Sequence, residues 1–313
     1  MPEFAVYLLM AAFTLLLIGW LANLVALNSA KVVTVAEQKE AVTVGAQRAG
    51  GKDGQEAETA GVPGSAPGSG KATRVRHMGV AAKIATGATV LALVLLTVYI
   101  VMRSVVTGHA PFTNQHEFAI AFVWAIVACY LVFEWRYDMR AISLVAIGIA
   151  AALLLYGLNL DTGVRPLMPA LQNNPMLTLH VGTAMLSYGA TCISFGAAVL
   201  YLIRPYVKWR GMPSGEVLDE VSYRAAVIAY PLITAMIILG AVWAQTAWGR
   251  YWGWDPKETA ALITWLIWSA YLHARVFRGW RGRRAAWLVV IGFASVLFAY
   301  FGNHFFGGLH SYA

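Results

Sequence analysis

The sequence predicts an all-α polytopic membrane protein with about eight transmembrane helices and both termini on the outer face. Hydrophobic residues make up 59% of the 313 residues and charged residues only 12%, about half the charged share of soluble domains. Apolar runs of about 20 residues, the length that crosses a bilayer, recur along the chain. The net charge of +8 comes from basic residues in the gaps between these runs, which indicates a lipid bilayer rather than nucleic acid as the partner.

The apolar runs define eight spanning segments. The first, 4–27, is longer than the core of a signal peptide and lacks a basic start, so we expect a retained helix within a first unit 1–28. The stretch 29–81 is rich in Gly, Pro and Ala and poor in aromatic residues, which predicts a disordered cytoplasmic loop. The other seven segments lie in a transmembrane domain, 82–313, at approximately 82–103, 118–135, 141–159, 179–203, 223–244, 260–277 and 285–303.

The positions of Lys and Arg predict the orientation of these segments. With the loop 29–81 in the cytoplasm, all but four of the 23 basic residues fall on the inner side, as expected for the short loops of membrane proteins. Both termini and a tryptophan-rich loop, 243–259, then face outward. The four basic residues on the outer side are Arg103, Arg165, Arg250 and Lys257.

Six of the twelve Trp residues lie between Trp243 and Trp268. Trp offers a broad flat face and a single N–H donor, so such a cluster suits a large planar apolar ligand. Directly after the cluster, Asp255, Pro256 and Glu258 occupy the N-cap, first and third positions expected at the start of a helix.

Two of the seven histidines are predicted to meet this cluster on the outer side. His180 opens the fifth segment and His310 follows the eighth. Two neutral imidazoles beside an aromatic platform are what bis-axial ligation of a haem iron requires. The alternative is that each histidine is an interfacial polar residue bonded to backbone.

His273 lies within an otherwise apolar helix near its cytoplasmic end. An ionisable group at membrane depth is a candidate functional residue, although a capping or snorkelling role also fits its position. Trp265, Trp268 and Leu272 are expected to share its helix face, forming either an apolar path or ordinary helix packing.

Three further features have more than one interpretation. Arg250 and Lys257 either meet haem propionates or anchor the loop at the interface. The polar segment 108–118 is expected to form a lid or wall of the outer site, or to be simply solvated. Cys129 and Cys192 belong to no Cys-x-x-Cys or Cys-x-x-Cys-His motif, which excludes dithiol exchange and a c-type cytochrome.

The tryptophan-rich segment resembles the WWD signature of haem-handling membrane proteins. The resemblance rests on Trp243 followed by Trp248-Gly-x-Tyr-Trp252-x-Trp254-Asp255-Pro-Lys-Glu-Thr. With the ending Gly-Leu-His310-Ser-Tyr, the chain from about residue 79 onward resembles the CcsA/ResC branch of the system II cytochrome c biogenesis machinery. The sequence departs from that pattern at Ala260, where Trp is expected, and at His116, where Tyr is expected. His304 is an additional candidate beside His310.

The resemblance implies a role for each candidate residue. His180 and His310 would be the axial ligands of haem iron on the outer face, and His273 would be the ligand of a relay haem within the membrane. The residues of the haem-holding surface would be Trp243, Trp248, Trp252, Trp254 and Asp255.

The resemblance also implies the function. Haem b, the transported substrate, would cross the plasma membrane and be presented as ferrous haem for thioether attachment to the Cys-x-x-Cys-His motif of apocytochrome c. The chain would be the haem-handling subunit of a holocytochrome c synthase, or haem lyase, with a CcsB/ResB-type membrane partner and, indirectly, thiol-reducing proteins. A membrane b-type cytochrome for electron transfer is the alternative, but such proteins need paired histidines inside the bundle.

Overall fold

A computed structural model describes residues 3–29, 31–34, 73–76, 79–163, 171–172, 175–207, 209–302 and 305–310. Eight helices in this part of the chain are long and apolar enough to cross a membrane, which confirms the predicted all-α polytopic membrane fold, while the outer placement of both termini stays a prediction. They are α1 (Glu3–Asn28), α2 (Val80–Thr107), α3 (Gln115–Tyr137), α4 (Ser143–Leu158), α5 (Pro175–Ile203), α6 (Gly215–Trp248), α7 (Pro256–Phe277) and α8 (Arg283–Phe301). The fourth span also includes the 3₁₀ turn Arg140–Ile142 directly before α4.

Several helices extend beyond the apolar segments that predicted them, because capping residues rather than apolarity set their ends. α6 begins eight residues before the predicted 223, where the Ser214 side chain accepts a hydrogen bond from the N–H of Val217. It ends at Trp248 and is capped by Gly249, whose φ of 73° is the left-handed conformation that favours glycine. The tryptophan-rich loop 243–259 is therefore largely helical, with only 249–255 between α6 and α7.

Most of the predicted disordered loop, 29–81, lies outside the described residues. Its two ends pair as short antiparallel strands, β1 (Lys31–Thr34) and β2 (Thr73–Arg76), with Lys31 opposite Arg76. The composition of the loop did not predict these strands, since no apolar alternation marks them in the sequence.

Helices α3 and α5 form the centre of the bundle. Within their most apolar windows 61% and 67% of the residues are buried, against 33% in α1 and in α2. α5 packs most extensively against α6, α1 against α2, and α3 against both α4 and α5. The outer helices bury one side only, as expected for helices that meet lipid.

Buried ion pairs fix the two ends of the bundle. Arg103 and Glu117 approach to 2.7 Å, and Arg103 also donates to the carbonyls of Thr162 and Gly163. At the opposite end of the same helices Arg140 contacts Glu134 at 2.5 Å. Because a charge in a low-dielectric setting is stable only when paired, each pair ties neighbouring helices together at its end.

Candidate haem-binding site

A cavity of about 930 Å³ lies at the end of the bundle that carries Arg103. Its wall comes from the start of α3 and the residues before it, from the end of α4 and the residues after it, and from α5 and α6. The start of α7, the end of α8 and the segment that follows α8 complete it. The volume lies near the upper end of the range of about 300–1,000 Å³ for small-molecule sites. Among the predicted site residues, His180, Trp243, Trp252 and His310 line this cavity.

His116 lines the same cavity but is fully engaged by the protein. Its Nδ1 lies 2.8 Å from the carbonyl of Gly157, and its Nε2 lies 2.6 Å from the hydroxyl of Tyr99. A carbonyl only accepts, so Nδ1 donates and Nε2 accepts from Tyr99. With both ring nitrogens bonded, His116 is a structural residue of the wall.

His180 is held against α6 through one ring nitrogen. Its Nδ1 donates to the carbonyl of Met236 at 2.8 Å, which makes Nε2 the nitrogen that carries the lone pair. The ring fits closely over Gly240, because a Cβ there would lie 2.7 Å from Cε1 of the imidazole. The ring also lies parallel to Trp243, with an interplanar angle of 6° and centroids 6.3 Å apart.

His310 is held by a carboxylate. Its Nδ1 lies 2.8 Å from Oδ2 of Asp255, and Oδ1 of Asp255 accepts the N–H of Leu309 at 2.6 Å. The Nδ1–H therefore points at Asp255, and Nε2 is the nitrogen suited to a metal. This is the carboxylate–histidine arrangement that orients metal-binding imidazoles in proteins.

The protonation states of this pair follow from their surroundings. Burial raises the pKa of the Asp255 carboxyl, but hydrogen bonds from His310 and from the N–H groups of Lys257 and Leu309 outweigh burial and lower that pKa to about 2. Burial lowers the pKa of His310 below its usual value despite the hydrogen bond to Asp255. At neutral pH the carboxylate is ionised and the imidazole is neutral, which is the form that binds a metal.

Asp255 also starts α7, as the sequence predicted. Its side chain accepts the N–H of Lys257, and Glu258 accepts the N–H groups of Gly253 and Asp255, forming a capping box with Pro256 at the first position. One carboxylate thus caps a helix and orients His310. The second role was missed because the two residues are 55 positions apart.

The tryptophans divide into two groups. Trp243 packs against both ligand candidates, with centroids 6.3 Å from His180 and 5.9 Å from His310. Trp248 contacts the His310 ring edge-to-face at 4.8 Å from outside the cavity wall. Trp252 lines the cavity, whereas Trp254 is 69% exposed and touches Trp252 at 5.8 Å. Trp243 and Trp248 therefore support the two histidines, and the tryptophans do not form the single flat platform that the sequence suggested.

The family model described as "Cytochrome C assembly protein" matches residues 112–310, more than half of the chain. The chain belongs to this family. The matched region contains the whole cavity wall that α3, α5, α6 and α7 provide, together with His310.

Individual relatives agree with the family assignment and confirm the predicted resemblance to the CcsA/ResC branch. "Cytochrome c biogenesis protein CcsA" of Guillardia theta is 37% identical over 257 residues, 73% of this chain and 85% of the relative. The protein of the same name from Gloeobacter violaceus is 34% identical over 295 residues, 74% and 86% of the two chains. That of Prochlorococcus marinus strain MIT 9312 is 37% identical over 259 residues, 72% and 82% of the two chains.

The third predicted haem ligand of this cytochrome c assembly protein lies elsewhere. His273 is exposed on the surface of α7, where its ring stacks on Phe277 with centroids 4.9 Å apart. The expectation that it shares a face with Trp268 is wrong, since Trp268 is fully buried. Each residue of a helix turns by about 100°, so five positions separate the two side chains by about 140°.

The remaining candidates around the cavity are also separated by the structure. Residues 112–116 and Phe118 of the predicted segment 108–118 belong to the cavity wall, whereas 108–111 and Glu117 do not line it. Lys257 is part of the wall as well, whereas Arg250 is exposed and packs over Gly253. His304 lies outside the described residues.

Proposed function

We propose that this cytochrome c assembly protein binds haem b, its transported substrate, between His180 and His310 and presents it for attachment to apocytochrome c. Membership of the family supports a role in cytochrome c biogenesis and implies haem handling. The observation that carries the proposal is the pair of imidazoles in one cavity wall, each donating its Nδ1–H to the protein. This arrangement directs the Nε2 atoms to the task of axial ligation.

The chemistry asked of the protein is orientation and shelter. In thioether formation the sulfur of each apocytochrome cysteine bonds to a vinyl carbon of haem, and the thiol proton goes to the neighbouring carbon. The addition is balanced without an oxidant or a covalent enzyme intermediate. Consistent with this, the free cysteines of the described residues, Cys129 and Cys192, lie within α3 and α5 and do not line the cavity. The increase in the rate of thioether formation would come from holding the haem vinyl groups next to the apocytochrome cysteines.

His273 would receive haem at the inner end of the bundle. Its exposure on the surface of α7 supports ligation shared with another protein, because the described residues around it offer only Phe277 as a ring contact. A CcsB/ResB-type membrane partner would supply the second ligand, and the two chains together would form the holocytochrome c synthase. In this proposal the complex sits in the plasma membrane, with the cavity on the extracytoplasmic face and thiol-reducing proteins acting on the apocytochrome beforehand.

The direct test is haem content. The chain, purified with its partner, should show the low-spin absorption spectrum of a b-type haem, and His180→Ala or His310→Ala alone should alter it. The double variant should lose both the outer-site spectrum and cytochrome c maturation. His109→Ala is the matched control, since His109 lies outside the cavity wall and donates to its neighbouring carbonyl at Ala110. Unchanged haem content and maturation in the double variant would show that the proposal is wrong.

A further inference from the structure

The cavity wall has one strongly basic side chain. Among the described residues that line it, Lys257 is the single lysine and no arginine occurs. It is the second residue of α7, two positions after the carboxylate that orients His310. It lines the same cavity as His180 and His310.

The carboxylates near Lys257 in the sequence, those of Asp255 and Glu258, accept hydrogen bonds from other groups. Asp255 accepts hydrogen bonds from His310, from Leu309 and from the N–H of Lys257 itself. Glu258 accepts the N–H groups of Gly253 and Asp255. Across the described ranges no carboxylate oxygen lies within 4.0 Å of the Lys257 ammonium.

The contact that the protein does give to the ammonium is aromatic. The Nζ atom of Lys257 lies 5.5 Å from the centroid of the Phe118 ring. A cation over an aromatic face is stabilised, but an ammonium has three N–H donors and a ring face serves only one side of it. Lys257 is half-buried, and a charge partly removed from bulk water is stabilised by a counter-ion, so this cavity is suited to a ligand that brings an anion.

The other carboxylate in the wall does not fill this role. Asp161 accepts the N–H of Gly163 at 2.8 Å, and its charge acts on His116. Arg250, the second basic residue considered for this role, is exposed and lies outside the wall. The structure therefore separates the two basic residues of the tryptophan-rich segment, which the sequence alone did not.

We propose that Lys257 binds a carboxylate of the cavity's ligand, which under the proposed function is a haem propionate. The planar ligand held through its iron by two axial imidazoles is still able to rotate about the axis that joins them. A charge-assisted hydrogen bond at one edge stops that rotation. Because the vinyl groups lie on the half of the macrocycle away from the propionates, Lys257 would direct the reactive vinyl groups away from the start of α7.

The test compares haem with its dimethyl ester, in which both propionates are uncharged. Each is titrated into the haem-free complex in detergent, and the affinity is taken from the absorption spectrum. The wild-type complex should bind haem about 10- to 100-fold more tightly than the ester, the range of a charge-assisted hydrogen bond. In Lys257→Met the two affinities should become nearly equal, and Lys257→Arg should retain most of the preference. Arg250→Met is the matched control and should discriminate as the wild type does.

The outcomes separate this inference from the proposed function. Equal affinity of the wild-type complex for haem and ester would overturn the role of Lys257 without any variant. A Lys257→Met complex that keeps the full preference would overturn it as well. Failure of the wild-type complex to bind either compound with a bis-histidine spectrum would instead overturn the proposed function.

Discussion

The two ends of the bundle present histidines in opposite ways. At the cavity end, His180 and His310 come from α5 and from the segment after α8, and each ring is fixed by a hydrogen bond from Nδ1. At the other end, His273 stands on a single helix, exposed, with Phe277 beside it. The first arrangement is built within one chain, and under the proposed function the second would be half of a site that a partner completes.

The difference arises from how each histidine is supported. Metal-binding imidazoles are oriented by partners beyond the ligand itself, and these partners hold the ring before the metal arrives. Met236, Gly240, Asp255 and Trp243 supply that support at the cavity end. Under the proposed function, the preorganised site would hold haem while bonds form, and the exposed histidine would accept haem and release it.

The largest effect should come from separating the two ends by mutation. His273→Ala should abolish cytochrome c maturation in cells, because haem from inside no longer enters. The same variant, purified without haem and supplied with it in detergent, should show a normal outer-site spectrum. His310→Ala should lose both properties and is the comparison variant. A His273→Ala complex that fails to bind added haem at the outer site would contradict the division of labour between the two ends.

The next effect concerns the fit of His180 against α6. A Cβ at residue 240 would lie 2.7 Å from Cε1 and 2.8 Å from Nδ1 of the ring, closer than real contacts allow. Gly240→Ala should therefore displace His180 and weaken haem binding by about 10- to 100-fold, the usual cost of disturbing a ligand's support. Haem titration of the purified complex measures this change.

Gly182→Ala provides the control for that prediction. Gly182 lies two residues from His180 on α5, and a Cβ there would meet no atom within 4 Å. Its substitution should leave haem affinity unchanged. Equal effects of the two alanines would indicate a general loss of helix packing rather than displacement of the His180 ring.

A smaller effect should follow from neutralising the carboxylate behind His310. Asn is a good N-cap residue, so Asp255→Asn should keep the start of α7 while removing the negative charge. A less basic His310 stabilises ferric iron less, so the midpoint potential of the outer haem should rise, and affinity should fall by about tenfold. Glu258→Gln disturbs the same capping box without contacting His310, so it should shift the potential much less than Asp255→Asn. A potential that responds equally in both variants would assign Asp255 a purely structural role.

The sequence predicted the architecture more closely than the side-chain environment. Eight spanning helices followed from run length, because the thickness of a bilayer fixes how many apolar residues a helix needs. The prediction that His180 and His310 lie at the same end of the bundle followed from counting how many times the chain crosses the membrane between them. The contact between Asp255 and His310 did not, since it depends on how the segment after α8 folds back onto α7. The face of His273 was assigned wrongly because Trp268 and His273 differ by five positions, which a helix places on nearly opposite sides.

The smallest effect should distinguish Trp248 from Trp254, the two tryptophans of the segment 243–259 that lie outside the cavity wall. Trp248 meets the His310 ring edge-to-face at 4.8 Å and Trp243 at 4.7 Å, and such contacts contribute about 0.5–1.5 kcal/mol each. Trp248→Phe should reduce the aromatic contact with the His310 ring and accelerate haem dissociation by about 2- to 10-fold. Trp254, 69% exposed and in contact with Trp252 alone among the aromatic rings described, should tolerate Phe without change in that rate. Dissociation measured by transfer of haem to an excess of a haem-binding acceptor resolves the two. If Trp254→Phe releases haem faster than Trp248→Phe, the contact between Trp248 and His310 does not limit haem release. The exposed Trp254 would then contribute more to holding the outer haem.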